Sequence, residues 1–188
     1  VVQPKVEQAF GFASTQVLDF ADLYAGKLAA ALSRQHPRDL FDIGLLMEDE
    51  RADATLWRTF LVYLTSSPKP AWELLAPRDL VDFEAIFDAH FKGMTAEPVT
   101  VAQLLGNRER LLSWIADNLN KPSCDFLWSI EEEQPDFGLI GLERAATLPG
   151  VVRKLQNLAR RSKAKRKADR HQLEQTLEQI VFGNPIVE

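Results

Sequence analysis

The strongest constraint on the fold is a helical repeat of apolar residues between Thr100 and Leu119. Leucine, valine and isoleucine recur there at steps of three and four, the spacing that gathers side chains on one face of an α-helix. A similar repeat, dense in alanine, runs from Leu18 to Leu32. Alanine is the best helix former, so this segment also favours a helix. The chain is therefore predicted to be mainly α-helical.

Prolines divide the chain into separate helices. Pro37 disfavours helical geometry at the residue before it and suits the first position of a new helix. We therefore expect one helix to end near Gln35 and a second to run from Pro37 to about Glu48. By the same argument, Pro77 predicts a helix that continues to about Phe91.

The acidic, polar stretch from Glu48 to Ala54 is the best candidate for a domain boundary. Residues 1–50 are predicted to hold a short strand ending at Gln16–Leu18, followed by two helices. Residues 51–188 are predicted to form a helical domain. The polar composition of the boundary is typical of linkers between packed units.

The charge is distributed unevenly along the chain. Residues 1–150 carry 13 basic and 23 acidic side chains, whereas residues 151–188 carry 9 and 4. The basic excess is concentrated in one short run, which is predicted to bind RNA through phosphate contacts. It comprises Arg160, Arg161, Lys163, Lys165, Arg166 and Lys167. The alternative interpretation is a solvated helix face or a frayed connection.

Several classes of protein are disfavoured by composition. No run of about 18 or more apolar residues indicates a membrane span, so no membrane association is expected. The one cysteine, Cys124, rules out a disulfide within the chain and fits a reducing cytoplasm. The three histidines, His36, His90 and His171, lack metal-ligand spacing, and no metal site is predicted in this chain.

Lys27 lies within a predicted helix of small and apolar residues. Its neighbours four positions away are Leu23 and Ala31, so no carboxylate on the same helix neutralises it. A lysine on a mostly buried face must extend to solvent or meet an anion. Phosphate is one such anion, and lysine binds it as a point charge.

Two aspartates follow shortly after Lys27. Asp39 and Asp42 are three residues apart, so both lie on one face of the second helix. Arg38 and Asp42 are four apart and can pair. A purely structural interpretation is also available: Asp39 caps the helix, Asp42 pairs with Arg38, and Lys27 is a surface lysine.

These residues carry a resemblance to a known family. The segments Leu23–Leu32 and His36–Asp42 resemble the third and fourth motifs of the abortive-infection AbiEii nucleotidyltransferase toxins of type IV toxin–antitoxin systems. In that family an Ala-x-Lys-Leu segment on a helix is followed closely by Arg-Asp-Leu-Phe/Tyr-Asp. Further similarity to the helical portion of the family lies in Phe91–Thr95, Pro98–Thr100, Arg108–Leu111, Pro135–Phe137 and Leu148–Leu158.

The resemblance implies a protein of two parts, a nucleotidyltransferase-like α/β domain and a helical bundle. Lys27 and Arg38 would contact a nucleoside triphosphate. Asp39 or Asp42 would be the essential acidic residue of the fourth motif, and the sequence does not decide between them. The resemblance also implies Mg²⁺, an RNA acceptor such as tRNA, and a cognate antitoxin.

One family feature is missing from this sequence. No Gly-Ser or Gly-Gly followed by an Asp-x-Asp pair precedes Lys27, and only 26 residues lie before it. The first residue is Val1. We therefore expect a truncated, C-terminal portion of a longer toxin, inactive alone, with Mg²⁺ and nucleotide bound only by the intact protein. The alternative is a non-catalytic helical module that binds nucleic acid or an antitoxin.

Overall fold

The computed structural model describes residues 4–12, 16–48 and 52–183. Within these ranges the chain forms ten α-helices and two short 3-10 turns, and no β-strand. The helices are α1 (Pro4–Phe10), α2 (Phe20–Arg34), α3 (Pro37–Leu46), α4 (Ala54–Ser66), α5 (Ala71–Leu75), α6 (Phe83–His90), α7 (Val101–Asn118), α8 (Lys121–Glu131), α9 (Pro149–Ala159) and α10 (Lys163–Phe182); the 3-10 turns are Phe137–Ile140 and Glu143–Thr147. The prediction of a mainly α fold is confirmed.

Helices α2 to α10 share one apolar core. Helix α2 packs along α4, and α3 packs along α7. Leu28, Phe60 and Leu111 are among the fully buried side chains that these helices contribute. The predicted boundary at residue 50 thus falls between helices that pack on one another, and the division into two domains stays a prediction.

The corner between α2 and α3 is formed by local sequence signals. Gln35 ends α2 in the left-handed conformation, with φ of 51°. His36 then caps α3, because its ring Nδ1 accepts a hydrogen bond from the backbone N–H of Arg38 at 3.2 Å. Pro37 occupies the first helical position, where its missing N–H costs nothing. Both predicted helix ends at this corner are confirmed.

Helix α7 begins at a capping box and closely approaches α3. Thr100 and Gln103 exchange hydrogen bonds, which satisfies backbone groups at the helix start. Near the middle of α7, the side chain of Asn107 lies against Gly44 of α3. Its amide donates to the carbonyl of Leu40 at 3.0 Å. The lack of a side chain at Gly44 therefore permits this close approach.

Two predictions about local structure are wrong. Gln16–Leu18 is not a strand; it has no regular secondary structure, and Val17 is 84% exposed. A strand needs a second strand to pair with, and the described residues form no strand. The helix expected from Arg78 begins only at Phe83, directly after Asp82 in the left-handed conformation, and the carbonyl of Arg78 accepts from the side chains of Gln35 and Arg108.

Candidate functional site

Lys27 and Asp42 form an ion pair between α2 and α3. The Nζ atom of Lys27 lies 2.5 Å from Oδ2 of Asp42. Both side chains are about one-third exposed, at 35% and 31%, so the pair is accessible to a ligand. The ammonium also lies 5.7 Å from the centre of the Tyr24 ring. The anion that Lys27 lacks on its own helix is therefore supplied by the next one.

A second ion pair joins the same two helices. Arg34 of α2 makes two hydrogen bonds to the carboxylate of Asp39, at 2.7 and 3.1 Å. Two parallel bonds of this kind hold a carboxylate in a fixed orientation. The two aspartates on one face of α3 are thereby distinguished. Asp39 is held by Arg34, and Asp42 is held by Lys27.

The structure does not pair Arg38 with Asp42, although their spacing allows it. Asp42 is bound to Lys27, because the sharp α2–α3 corner brings that ammonium closer than the helical neighbour. Arg38 is exposed, and its guanidinium contacts the sulfur of Met94 at 3.8 Å. The expected pair is therefore replaced by an interhelical one, and Arg38 keeps its charge available.

Tyr63 of α4 fixes the position of α2 beside Lys27. Its hydroxyl donates to Oδ1 of Asp22 at 2.8 Å, and its ring lies against Gly26. A side chain at Gly26 would approach the ring to 3.2 Å, which is tighter than ordinary contact. Burial and the nearby Asp22 charge raise the pKa of Tyr63 to about 12. No local pattern indicates this contact, since its partners are 41 residues apart.

A cleft opens at the corner, next to the Arg34–Asp39 pair. It encloses about 310 Å³. The centres of the His36 and His90 rings lie 6.3 Å apart there. The residues lining this corner cleft are Arg34, His36, Arg38, Asp39 and His90.

Part of the basic run lies inside the protein. Arg161 donates to Oδ2 of Asp169 at 2.6 Å and lies 3.6 Å from Glu131. The side chain of Arg161 is only 17% exposed, and that of Asp169 is 1% exposed. Burial raises the pKa of the Glu131 carboxyl, although Arg161 opposes the shift. Arg161 therefore neutralises two buried carboxylates.

Two further residues of the run also form ion pairs. Lys165 lies 3.0 Å from Asp169, and Arg166 lies 2.5 Å from Glu133. Arg166 also donates to the backbone carbonyls of Ala159 and Arg161, where α9 ends. The other three basic side chains are exposed and form no ion pair among the described residues. These are Arg160, Lys163 and Lys167, named here the free basic triad.

The described residues do not fit a Mg²⁺ site. No group of three or more histidine, cysteine or acidic side chains among them is placed to hold a metal ion. Asp39 and Asp42 are each paired with a cation. Among the described residues, no helix is both long enough and apolar enough to cross a membrane.

Comparison with known proteins identifies the family of the chain. The profile of the family described as nucleotidyl transferase AbiEii toxin, type IV TA system, matches residues 1–186. The chain belongs to this family of nucleotidyltransferase toxins. The resemblance drawn from the Lys27 and Arg38–Asp42 motifs is thereby confirmed. No curated protein and no solved structure matches the chain significantly.

Proposed function

We propose that Lys27 and Asp42 are the nucleotide-handling residues of a toxin that transfers nucleotides from a nucleoside triphosphate to an RNA acceptor. The observation that carries the proposal is the 2.5 Å contact between them. It joins the two motifs of a nucleotidyltransferase family at one accessible point between α2 and α3. Lysine suits a phosphate as a compact charge, so Lys27 would contact the triphosphate.

Asp42 is the better candidate than Asp39 for the essential acidic residue. Asp39 is 14% exposed and both of its oxygens are engaged by Arg34. Asp42 is 31% exposed and has one described partner, Lys27. In this proposal Asp42 orients the ammonium of Lys27, and Arg38 contributes a further positive charge nearby.

The test is a transfer assay with the protein expressed from its complete reading frame. Each of the four radiolabelled nucleoside triphosphates is offered with total tRNA. Lys27→Ala and Asp42→Asn should each lower the rate by about 100-fold or more, the usual effect of removing one electrostatic group from a reaction site. Asp39→Asn is the matched control and should stay within about tenfold. Full activity of Lys27→Ala would remove the proposal.

We also predict that residues 1–188 alone do not transfer nucleotides. Running the same assay on this chain alone, beside the product of the complete reading frame, tests it directly. Lys27→Ala serves as the blank in both arms. Transfer by residues 1–188 at the rate of the product of the complete reading frame would contradict it.

RNA binding by the free basic triad is a second candidate function. The specific observation is that Arg160, Lys163 and Lys167 are exposed and free of ion pairs among the described residues. Such side chains displace the counterions of the RNA phosphates that they contact, so the affinity for RNA falls steeply as the salt concentration rises. A filter-binding titration of single-stranded RNA at rising salt tests this. Absence of binding at low salt would remove it.

The cognate antitoxin that a type IV system implies is the other expected partner.

A further inference from the structure

The corner cleft carries more positive charge than its ion pairs use. Arg34 and Asp39 cancel one another through two hydrogen bonds. The remaining lining groups are the Arg38 guanidinium and the imidazoles of His36 and His90. They come from three places in the chain: the α2–α3 turn, α3 and the last residue of α6. The cleft therefore has a net positive potential.

Arg38 supplies the permanent charge. Its side chain is exposed, and its described hydrogen bond goes to the thioether sulfur of Met94 at 3.8 Å. A thioether is a weak acceptor that cannot neutralise a guanidinium. No carboxylate pairs with Arg38 among the residues that the structure describes. A guanidinium in this state is a strong donor for a phosphate.

The two imidazoles add donors on the same side. Nδ1 of His36 accepts the backbone N–H of Arg38. The neutral ring therefore carries its proton on Nε2, which remains available as a donor. The His90 ring centre lies 6.3 Å from that of His36. This separation allows both rings to reach one small oxyanion placed between them.

We propose that the corner cleft binds a phosphate group through Arg38, His36 and His90. The inference deepens the proposed function and rests on it, because both substrates of nucleotidyl transfer carry phosphates. A cleft of about 310 Å³ is large enough for a phosphate with bound water, since one water occupies about 30 Å³. Arg34, which lines the cleft, is seven residues from Lys27, about 10 Å along α2. At this separation the cleft and Lys27 can hold two different phosphate groups.

The first experiment uses the histidines as reporters. The chain has three, so imidazole C–H signals in an NMR spectrum are readily resolved. Inorganic pyrophosphate is titrated into residues 1–188 at low ionic strength and fixed pH. The signals of His36 and His90 should shift together and saturate. His171, exposed on α10 one helical turn after Lys167, reports phosphate at the free basic triad, so its shift should follow a different saturation curve. Unmoved His36 and His90, or shifts of all three histidines along one saturation curve, would overturn the proposal.

Matched variants then test the role of Arg38. Arg38→Gln and His90→Gln should each weaken pyrophosphate binding by about tenfold, the loss of one charge-assisted hydrogen bond. Both side chains are exposed, so the fold should be retained. Arg144→Gln removes an exposed arginine elsewhere and should leave the affinity unchanged. Unchanged affinity in both cleft variants would contradict the proposal.

Competition identifies the source of the phosphate. ATP and a short single-stranded oligoribonucleotide are each used to displace pyrophosphate, with the His90 signal as the readout. Displacement by ATP assigns the cleft to the nucleotide, and displacement by the oligonucleotide assigns it to the RNA acceptor. Failure of both would overturn the inference. The transfer assay on Lys27→Ala is independent, so loss of the Lys27 proposal leaves this binding result standing.

Discussion

Arg161, in the turn between α9 and α10, donates a hydrogen bond to Asp169 at 2.6 Å. The acceptor is 1% exposed, and a carboxylate oxygen of Glu131 lies 3.6 Å from the same guanidinium nitrogen. Removing one partner of a buried ion pair leaves an uncompensated charge, which is strongly destabilising. A residue that the charge pattern assigns to RNA binding is thus also a structural one.

Arg161→Gln leaves Glu131 without its ion pair, although Lys165 still lies beside Asp169, and should lower the free energy of unfolding by about 3 kcal/mol. Arg160→Gln, one residue earlier and exposed, should change it by less than about 0.5 kcal/mol. Urea denaturation followed by circular dichroism measures both. Equal effects of the two substitutions would show that Arg161 is not buried in solution as described.

Lys154 predicts an unusual dependence of stability on pH. Its ammonium is buried, 5% exposed, and donates to the backbone carbonyls of Ser67 and Lys69 at 2.7 and 2.6 Å. Burial lowers the pKa of Lys154 from 10.5 to about 8. Between these two values the unfolded chain binds more protons than the folded one, so the free energy of unfolding should rise with pH across this window.

The size of this rise follows from the pKa difference. It amounts to about 2.5 kcal/mol between pH 7 and pH 10. Lys154→Met lacks the titrating group and is the reference. The free energy of unfolding of the parent chain, relative to Lys154→Met, should therefore increase over that range. A constant difference between the two proteins at all pH values would show that the lowered pKa is absent.

Local signals in the sequence were sufficient for the α2–α3 corner. The restrictions imposed by Pro37 act within a few residues, so they can be recognised without a fold. The same is true of the Thr100 cap on α7. The strand expected at Gln16–Leu18 was wrong because a strand depends on a partner, which a local pattern does not reveal.

Long-range contacts were beyond such reasoning. The carbonyl acceptors of Lys154 lie 87 and 85 residues away in sequence. His36 and His90 are also far apart in the sequence, and the contact between their rings depends on how α6 packs against α3. In the basic run, the sign of the charge was evident, yet burial separates Arg161 from Arg160. The candidate site was thus proposed from its motif residues, whereas the partners of those residues required the fold.

Gly44 and Gly106 are expected to respond oppositely to the same substitution. A Cβ at Gly44 would overlap the amide of Asn107, so Gly44→Ala must displace that side chain and its bond to Leu40. We expect a loss of about 1–3 kcal/mol, as for overpacking. Gly106 lies in the middle of α7, where an added Cβ would meet no atom within 4 Å outside the helix's own backbone. Gly106→Ala should therefore stabilise the fold by up to about 1 kcal/mol. Thermal melts of both variants provide the measurement, and a neutral Gly44→Ala would contradict the close packing of α3 on α7.

The free basic triad predicts a change in the salt dependence of RNA binding. Each phosphate contact with a single strand contributes about 0.7 to the slope of log affinity against log salt, so replacing all three side chains by glutamine should reduce the slope by about 2. A charge-matched control carries glutamine at Arg58, Lys121 and Arg144, which are exposed on other parts of the surface. Its slope should equal that of the parent chain in filter binding at several salt concentrations. An equal reduction in both variants would mean that RNA responds only to the net charge, and the triad would lose its assignment.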